Sequence, residues 1–372
     1  MIKKRKSRYH LKFILYFKIV TRHTNQYFKC YNHPKLLRDH IMKFRFFVIR
    51  LFLVVYLPLI SYSNVAYAKT IIRFHHDMAI DSALHKGAVI FQREVEKLSK
   101  GEMLVQIYPA NTLGDDQYST ELLQVGIIQL AVIPTSKLAN FSPSLKALDY
   151  PYLFNDRPSV YKVLDGEIGH ELLNDMQSEG ITGLGFWESG FKQITCNDVF
   201  SQHEQRNESP LKGVPVRIMA SDVLKRQYLA AGALPLAISF SEIYVALQHG
   251  LAKCQENPIV SIAITRIYEV QNELLLSNHG YLGYAFIASS RWFNELNNNE
   301  KQLIRTAENI ARDKQREASS QLEKNYLKEI LKSGKTQVVS SDFNQDLRSR
   351  FVQVKAEENI QVIIDKIRGL TK

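Results

Sequence analysis

One stretch, Leu211–Pro258, constrains the fold of this chain more than any other, because it sets a cation in the middle of an apolar strand. LKGVPVRIMAS reads as a turn at Gly213 followed by a strand from Val214 to Ile218, with Arg217 inside it. Burying a guanidinium without a partner costs several kcal/mol or more. Arg217 is therefore one half of an internal ion pair, a strand-end residue that snorkels to water, or the receptor of an anion from outside. Its surroundings favour the last. Ser221 is placed to cap a helix ending at Gly232, and Ser239 or Ser241 to cap a second one ending at Gly250. The second helix carries Ile243, Ala246 and Leu247 on one face, and the polar run Gln255-Glu256-Asn257 follows it. In α/β folds the strand ends and the loops after them form the ligand crevice, so Arg217 and Asn257 are expected to face one cleft.

The rest of the chain alternates strand and helix. Thr70–Phe74 reads as a strand, with His75, His76 and Asp77 in the loop after it. Ser82 opens a helix whose Leu84, Ala88, Phe91, Val95 and Leu98 share a face, and Gly101 closes it. Met103–Tyr108 is a strand; a helix over Gln117–Val125 follows, with Asp115 and Asp116 at its positive end. Ile127–Ile133 is a buried-type strand that runs into Pro134, Thr135 and Ser136. This order predicts an α/β fold whose sheet is mostly parallel and flanked by helices. Ile181–Phe186 is a further strand, and Trp187-Glu188-Ser189-Gly190 marks a crossover where the glycine supplies freedom. An amphipathic helix is expected from Ile262 towards Leu276, a strand over Tyr281–Ser289 and one long helix over Asn297–Lys332. Thr336–Lys372 reads as a strand plus a closing helix.

A net charge of +11 suggests a nucleic-acid or membrane-surface protein only until the charge is located. Of 48 Lys/Arg and 37 Asp/Glu, 14 basic residues and one acidic residue lie in 1–68, which leaves 34 against 36 in the remainder. Met42 begins a short basic segment, Leu51–Ile60 is an uninterrupted apolar run, and Ala66-Tyr67-Ala68 ends it. That is the pattern of a cleaved secretory signal, with cleavage expected after Ala68. Ten apolar residues with Pro58 among them fall short of the roughly 20 that a spanning helix needs. Residues 1–41 are either an extended basic leader or lie upstream of the true start near Met42. Cys30 falls in the leader; Cys196 and Cys254 are free to pair or not in an oxidising compartment. No Cys/His spacing indicates a metal site, and no nucleophile elbow, P-loop, HExxH or dinucleotide fingerprint is present.

The runs GVPVRI, FSEIYVAL and QENP, with YPANTLGDD at Tyr108–Asp116 and WESGFKQIT at Trp187–Thr195, occur in the order found in the solute-binding proteins of tripartite ATP-independent periplasmic (TRAP) transporters, DctP type. The chain resembles that family from about Ile71 to its end. The resemblance implies a two-domain Venus-flytrap fold with an interdomain cleft and a long bracing helix. After a leader over 1–68, domain I would comprise 69–189 plus 283–322, and domain II 190–282 plus 323–372. It implies a periplasmic monomer that captures a small carboxylate and delivers it to membrane permease subunits driven by an ion gradient, without catalysis, cofactor, metal or nucleic acid. Arg217, Asn257 and Lys192 would form the anion site, and Phe240 and Trp187 its apolar walls. Glu188, Asp115, Thr135, Ser136, His76 and Asp77 would complete the lining. Two departures stand out. Lys192 replaces an arginine common in the family and loses the planar fork. Lys253-Cys254 replaces an acidic residue and a glycine before QENP. A ligand sensor for a membrane receptor, or a secreted hydrolase built on Cys254 or Glu188, are the alternative readings.

Overall fold

The computed structural model describes residues 42–47, 50, 69–203 and 208–371. The apolar run of the leader, its cleavage position and Cys30 lie outside the described residues; 42–47 are helical. Among the described residues no helix is long and apolar enough to cross a membrane.

From residue 69 onward ten strands are described: β1 (Thr70–His76), β2 (Met103–Tyr108), β3 (Leu130–Pro134), β4 (Ile181–Cys196), β5 (Pro215–Ile218), β6 (Leu234–Ala237), β7 (Cys254–Pro258), β8 (Glu273–Leu275), β9 (Tyr281–Ser289) and β10 (Gln337–Val338). Their order is β2-β1-β3-β9-β4-β7-β5-β6; off this path β8 pairs with β4, and β10 with β8. The sheet is mixed. β1, β2 and β3 run parallel, as do β5, β6 and β7, but β9 and β4 enter antiparallel between the two sets.

The 16 residues of β4 make this arrangement possible, since at roughly 3.3 Å per residue the strand is about 50 Å long. Its Ile181–Phe191 part pairs with β9 and its Lys192–Cys196 part with β7, so one strand serves two half-sheets. A register shift falls between Glu188 and Gly190, where Gly190 adopts φ 126°, a region that side-chain-bearing residues rarely enter. The expected strand Ile181–Phe186 and its crossover are thus one continuous element with a bulge at the junction.

Five helices belong to the first half: α1 (Ala83–Leu98), α2 (Asp116–Gln124), α3 (Thr135–Leu138), α4 (Arg157–Leu164) and α5 (Glu167–Asp175). The second half holds α6 (Asp222–Ala230), α7 (Ile243–Gln248) and α8 (Ile259–Ile264), and α9 (Ser290–Glu295), α10 (Asn298–Lys332), α11 (Asp342–Phe351) and α12 (Glu358–Thr371) follow. Caps fall where short polar residues precede apolar periodicity. Ser82, Ser221 and Asn297 each accept a backbone N–H of the first turn of their helix. Ser239 makes no such bond; its hydroxyl goes to Glu242, and α7 starts after a single 3-10 turn.

The 35-residue α10 lies along β4. Trp187 packs between α1 and α10, where a Cβ on Gly87 would come within 2.7 Å of its ring, so only glycine lets the two helices close over the indole. Gln315 brackets Glu188, accepting from its N–H at 3.1 Å and donating to its carbonyl at 2.6 Å. Further along, Ile330 joins Ile259, Ile262 and Leu274 of the second half. One rigid helix therefore packs on both half-sheets.

Two expectations need correction. The helix expected from Ile262 to Leu276 stops at Ile264; Arg266 takes φ 58°, and Glu273–Leu275 pairs with β4 as β8. Strand partnership overrode the helical period. The tail forms two helices after β10, and the last of them leaves the half expected for it. Ile360, Ile364 and Ile367 of α12 pack among Val160, Val163, Leu172 and Ile181 of the first half.

Candidate functional site

Arg217 lies in β5 with 1% exposure. Its Nε donates to the carbonyl of Ile238, just beyond β6, at 2.9 Å. Nη1 is buried without a partner, and among the described residues no carboxylate reaches ion-pair distance of the guanidinium. Burial pulls its pKa down to about 10, with the charge of Glu256 acting the other way, so the group stays cationic at neutral pH. The register sets Arg217 opposite Gln255, and the period-2 alternation brings Asn257 to the same side of β7. There the amide nitrogen of Asn257 donates to Gln255 Oε1 at 2.6 Å, and that of Gln255 to Thr195 Oγ1 at 2.7 Å. Arg217 and Asn257 therefore share a face of the second half-sheet.

Lys192 falls on the other side of the same strands. It is 2% exposed, with its ammonium 3.0 Å from Glu256 Oε2 and 3.2 Å from Oε1. His279 Nε2 stands 3.4 Å from the same carboxylate, and its Nδ1 lies 2.7 Å from Ser277 Oγ. Burial opposes ionisation of Glu256, but the charges of Lys192 and His279 and their hydrogen bonds outweigh it and hold its pKa below the usual carboxylate range. Burial keeps His279 below the ordinary histidine value. The sequence suggested Lys192 as a free cation; the fold gives it a buried counter-charge. Glu256→Gln is expected to cost about 3–5 kcal/mol of stability, because it leaves an ammonium in the core with nothing to neutralise it. Urea unfolding with an unchanged midpoint would show that the pair does not form.

Asp149 ties the halves together. Its Oδ1 accepts from Ser136 at the start of α3, and its Oδ2 accepts from Ser221, the cap of α6, at 2.7 Å. Burial raises its pKa, against the opposing charge of Lys192. Thr135 donates to the Gly283 carbonyl of β9 at 3.2 Å. Ser136 is thus spent on the junction between the halves, and Thr135 on β9 within the first.

At the end of β1 the two histidines diverge. His76 turns to α1, with Nε2 3.1 Å from His85 Nδ1, and burial takes its pKa down to about 3. His75 and Asp77 point to the opposite side. Both ring nitrogens of His75 are buried without a partner, and so is Asp77 Oδ1; Asp77 Oδ2 accepts from Tyr284 at 3.4 Å. Burial first, and the Asp116 charge second, push Asp77 up to about 8. Asp115 is exposed and caps α2, accepting from the Tyr118 N–H at 2.9 Å. Asp116 is buried and paired with Lys137.

Trp187 and Glu188 are committed inside the protein. The indole packs on Phe74 and Phe286 and donates to Glu308 Oε1 at 3.1 Å. The carboxylate of Glu188 accepts from Arg157 at 2.9 Å, from Tyr161 at 2.9 Å and from Tyr281 at 2.8 Å. Neither presents a free face, and both hold β4 in place. Phe240 is half-buried against the second-half core. Cys196 and Cys254 face each other across β4 and β7 and form a disulfide, with Cα atoms 4.1 Å apart, so Cys254 offers no thiol nucleophile. Sequence reading gave no role to Asp149, Glu256 or His75, although Glu256 stood in the polar run after α7 and His75 beside the end of β1.

Two half-sheets that share a strand, one helix braced on both, and a buried cation with no counter-ion among the described residues define the class of two-lobed solute-binding proteins. The chain belongs to the family of bacterial extracellular solute-binding proteins, family 7 (DctP), which matches residues 74–359. It is 36% identical over 230 residues to the C4-dicarboxylate-binding periplasmic protein DctP of Rhodobacter capsulatus, covering 61% of this chain and 67% of that one. It is 32% identical over 263 residues to the C4-dicarboxylate-binding protein DctB of Bacillus subtilis, covering 71% and 74%. Among solved structures, a TRAP periplasmic solute-binding protein from Shewanella oneidensis with bound succinate superposes with TM-score 0.77 at 30% identity, over 82% of this chain and 100% of that one. The sugar-acid-binding protein DctPAm of Advenella mimigardefordensis with galactonate gives 0.74 at 30% identity, over 81% and 99%. The α/β two-lobed fold and the family assignment read from the sequence both hold.

Proposed function

We propose that this protein is a periplasmic receptor which closes on a small organic acid and presents it, as a monomer, to an ion-gradient-driven TRAP permease. One observation carries the reading: a charged guanidinium, 1% exposed, for which no described residue supplies an opposite charge within ion-pair distance. A ligand carboxylate would supply it, through two parallel N–H donors in a partly dehydrated cleft where such bonds strengthen. Asn257 sits beside the guanidinium to complete the grip. Lys192 stays paired with Glu256 on the other side of the same strands and holds β4 against β7, while Phe240 offers an apolar wall. The other lobe contributes Asp77, with Thr135 and Ser136 bonded internally behind it and His76 and Asp115 holding the neighbouring loops; Trp187 and Glu188 fix the strand between the lobes.

In this reading the first lobe comprises 69–189, 283–322 and α12, and the second 190–282 with the chain between α10 and α12. The bulge at Gly190 is the hinge. Closure follows because the acid touches both lobes only when they approach, so its differential affinity sets the population shift. The relatives named above include a C4-dicarboxylate-binding protein and a sugar-acid-binding one, and both ligand classes carry the carboxylate that Arg217 requires. Calorimetry of Arg217→Ala against a panel of organic acids tests the reading. Secretion is tested separately: N-terminal sequencing of the exported protein is expected to begin at Lys69, and a start at Met1 or Met42 would remove the cleaved signal from the proposal.

A further inference from the structure

We propose that the segment Asp149–Tyr152 is a strap that holds the two lobes together before an acid arrives, with Asp149 as its clasp on α6. Its action rests on the closure proposed above and not on which acid is captured.

The strap belongs to the first lobe. Leu145, Leu148 and Phe154, on either side of it, are buried in the apolar cluster of that lobe. Its three non-proline residues nevertheless all bond the second lobe. Asp149 is 4% exposed; its Oδ1 accepts from Ser136 of the first lobe, and its Oδ2 from Ser221 of the second at 2.7 Å. A single carboxylate thus joins a hydroxyl from each side. The Tyr150 hydroxyl accepts from Arg226 Nη2 of α6 at 3.3 Å and donates to the Lys355 carbonyl, in the chain before α12, at 3.2 Å. The Tyr152 N–H donates to the His279 carbonyl at 2.9 Å, and its ring lies 4.4 Å from the Arg348 guanidinium of α11.

These contacts divide into a pivot and a clasp. His279 adjoins the hinge strand, since Lys192, two residues past Gly190, donates its N–H to the Gly280 carbonyl at 2.8 Å. The bond from Tyr152 therefore turns with the hinge. α6 has no such tie. The strand before it, β5, pairs among the described residues with β6 and β7, both of the second half-sheet. Rotation at Gly190 consequently carries Ser221 and Arg226 away from Asp149 and Tyr150. It also withdraws Val223, in the first turn of α6, which is 1% exposed and packs in the apolar cluster of the first lobe. Opening would wet that side chain, and the apolar surface it exposes opposes the rotation.

The consequence is a population already shifted towards the closed form by protein groups alone. Apparent affinity is the intrinsic affinity reduced by the fraction of molecules competent to bind, so the strap raises it. Every acid meets the same closed fraction, and selectivity is left to the pocket.

The test is small-angle X-ray scattering of mature wild-type and Asp149→Ala protein, without acid and with saturating succinate or galactonate, beside calorimetry with both acids. The acid-free variant is expected to have a larger radius of gyration than acid-free wild type, and the two radii to coincide at saturation. Affinity for each acid that binds is expected to fall about five- to twentyfold by a common factor, with faster dissociation. Arg226→Ala, at a half-buried position, is expected to act in the same direction by a smaller factor, and it decides the matter if Asp149→Ala does not fold. An acid-free radius equal to that of wild type would overturn the strap, even where Arg217→Ala still loses its acid. A fall confined to one acid would overturn it too, because it would make Asp149 part of the pocket. A larger acid-free radius with neither acid bound would support the strap and remove the carboxylate reading.

Discussion

Arg217→Ala lowers carboxylate affinity by at least about 2 kcal/mol, roughly 30-fold, in calorimetry at low salt. The expectation follows from the guanidinium being buried, cationic and without a carboxylate partner among the described residues. A second readout separates this role from a structural one. Removing one partner of an internal ion pair strands the other charge and destabilises the fold, whereas removing a buried cation that has no partner relieves a desolvation cost. Arg217→Ala is therefore expected to melt at or above the wild-type temperature while losing its ligand. Arg217→Lys keeps the charge but not the fork, so its affinity should fall between the two. Unchanged affinity in the alanine variant, or binding loss that merely accompanies unfolding, would sink the assignment.

Replacing Cys196 and Cys254 together with alanine lowers the melting temperature by roughly 8–16 °C. The two residues close a 58-residue loop. Chain-entropy arguments assign about 4 kcal/mol to a cross-link of that length, and a chain of this size shifts by about 2–4 °C per kcal/mol. That loop contains β5, β6, α6 and α7, hence Arg217 and the strand edge on which it stands. Affinity at 25 °C should change little, because the register of β4 against β7 is also held by Lys192–Glu256 and by the strand hydrogen bonds. Scanning calorimetry of the double variant gives the answer, and an unaltered melting temperature would mean that the two thiols do not pair. Cys254, where the resemblance implies a glycine, is then a cross-strand fastening.

The residues that local rules could identify were those whose effect acts within a few positions. Ser82, Ser221 and Asn297 cap helices because a short side chain reaches its own backbone. Gly101 and Gly232 end helices by taking positive φ. Arg217 announced itself because a cation in an apolar strand breaks the pattern around it; Asn257 came beside it only through the pairing of β5 with β7.

What no local rule could supply was the identity of each charged group's partner. Lys192 and Glu256 are 64 positions apart, Arg157 and Glu188 are 31 apart, and Asp149 reaches Ser221 across 72. The helix pattern at Ile262–Leu276 yielded to β8 because three residues gained partners on β4, and α12 crossed to the first half because its isoleucines found an apolar face there. The sequence by itself determined which segments are strands and helices in most of the chain, where the odd cation lies, and to which family the chain belongs. Only the tertiary structure decided which charges are already neutralised and which one is left over. Coulomb and desolvation energies depend on distance and burial in three dimensions, and order along the chain carries neither.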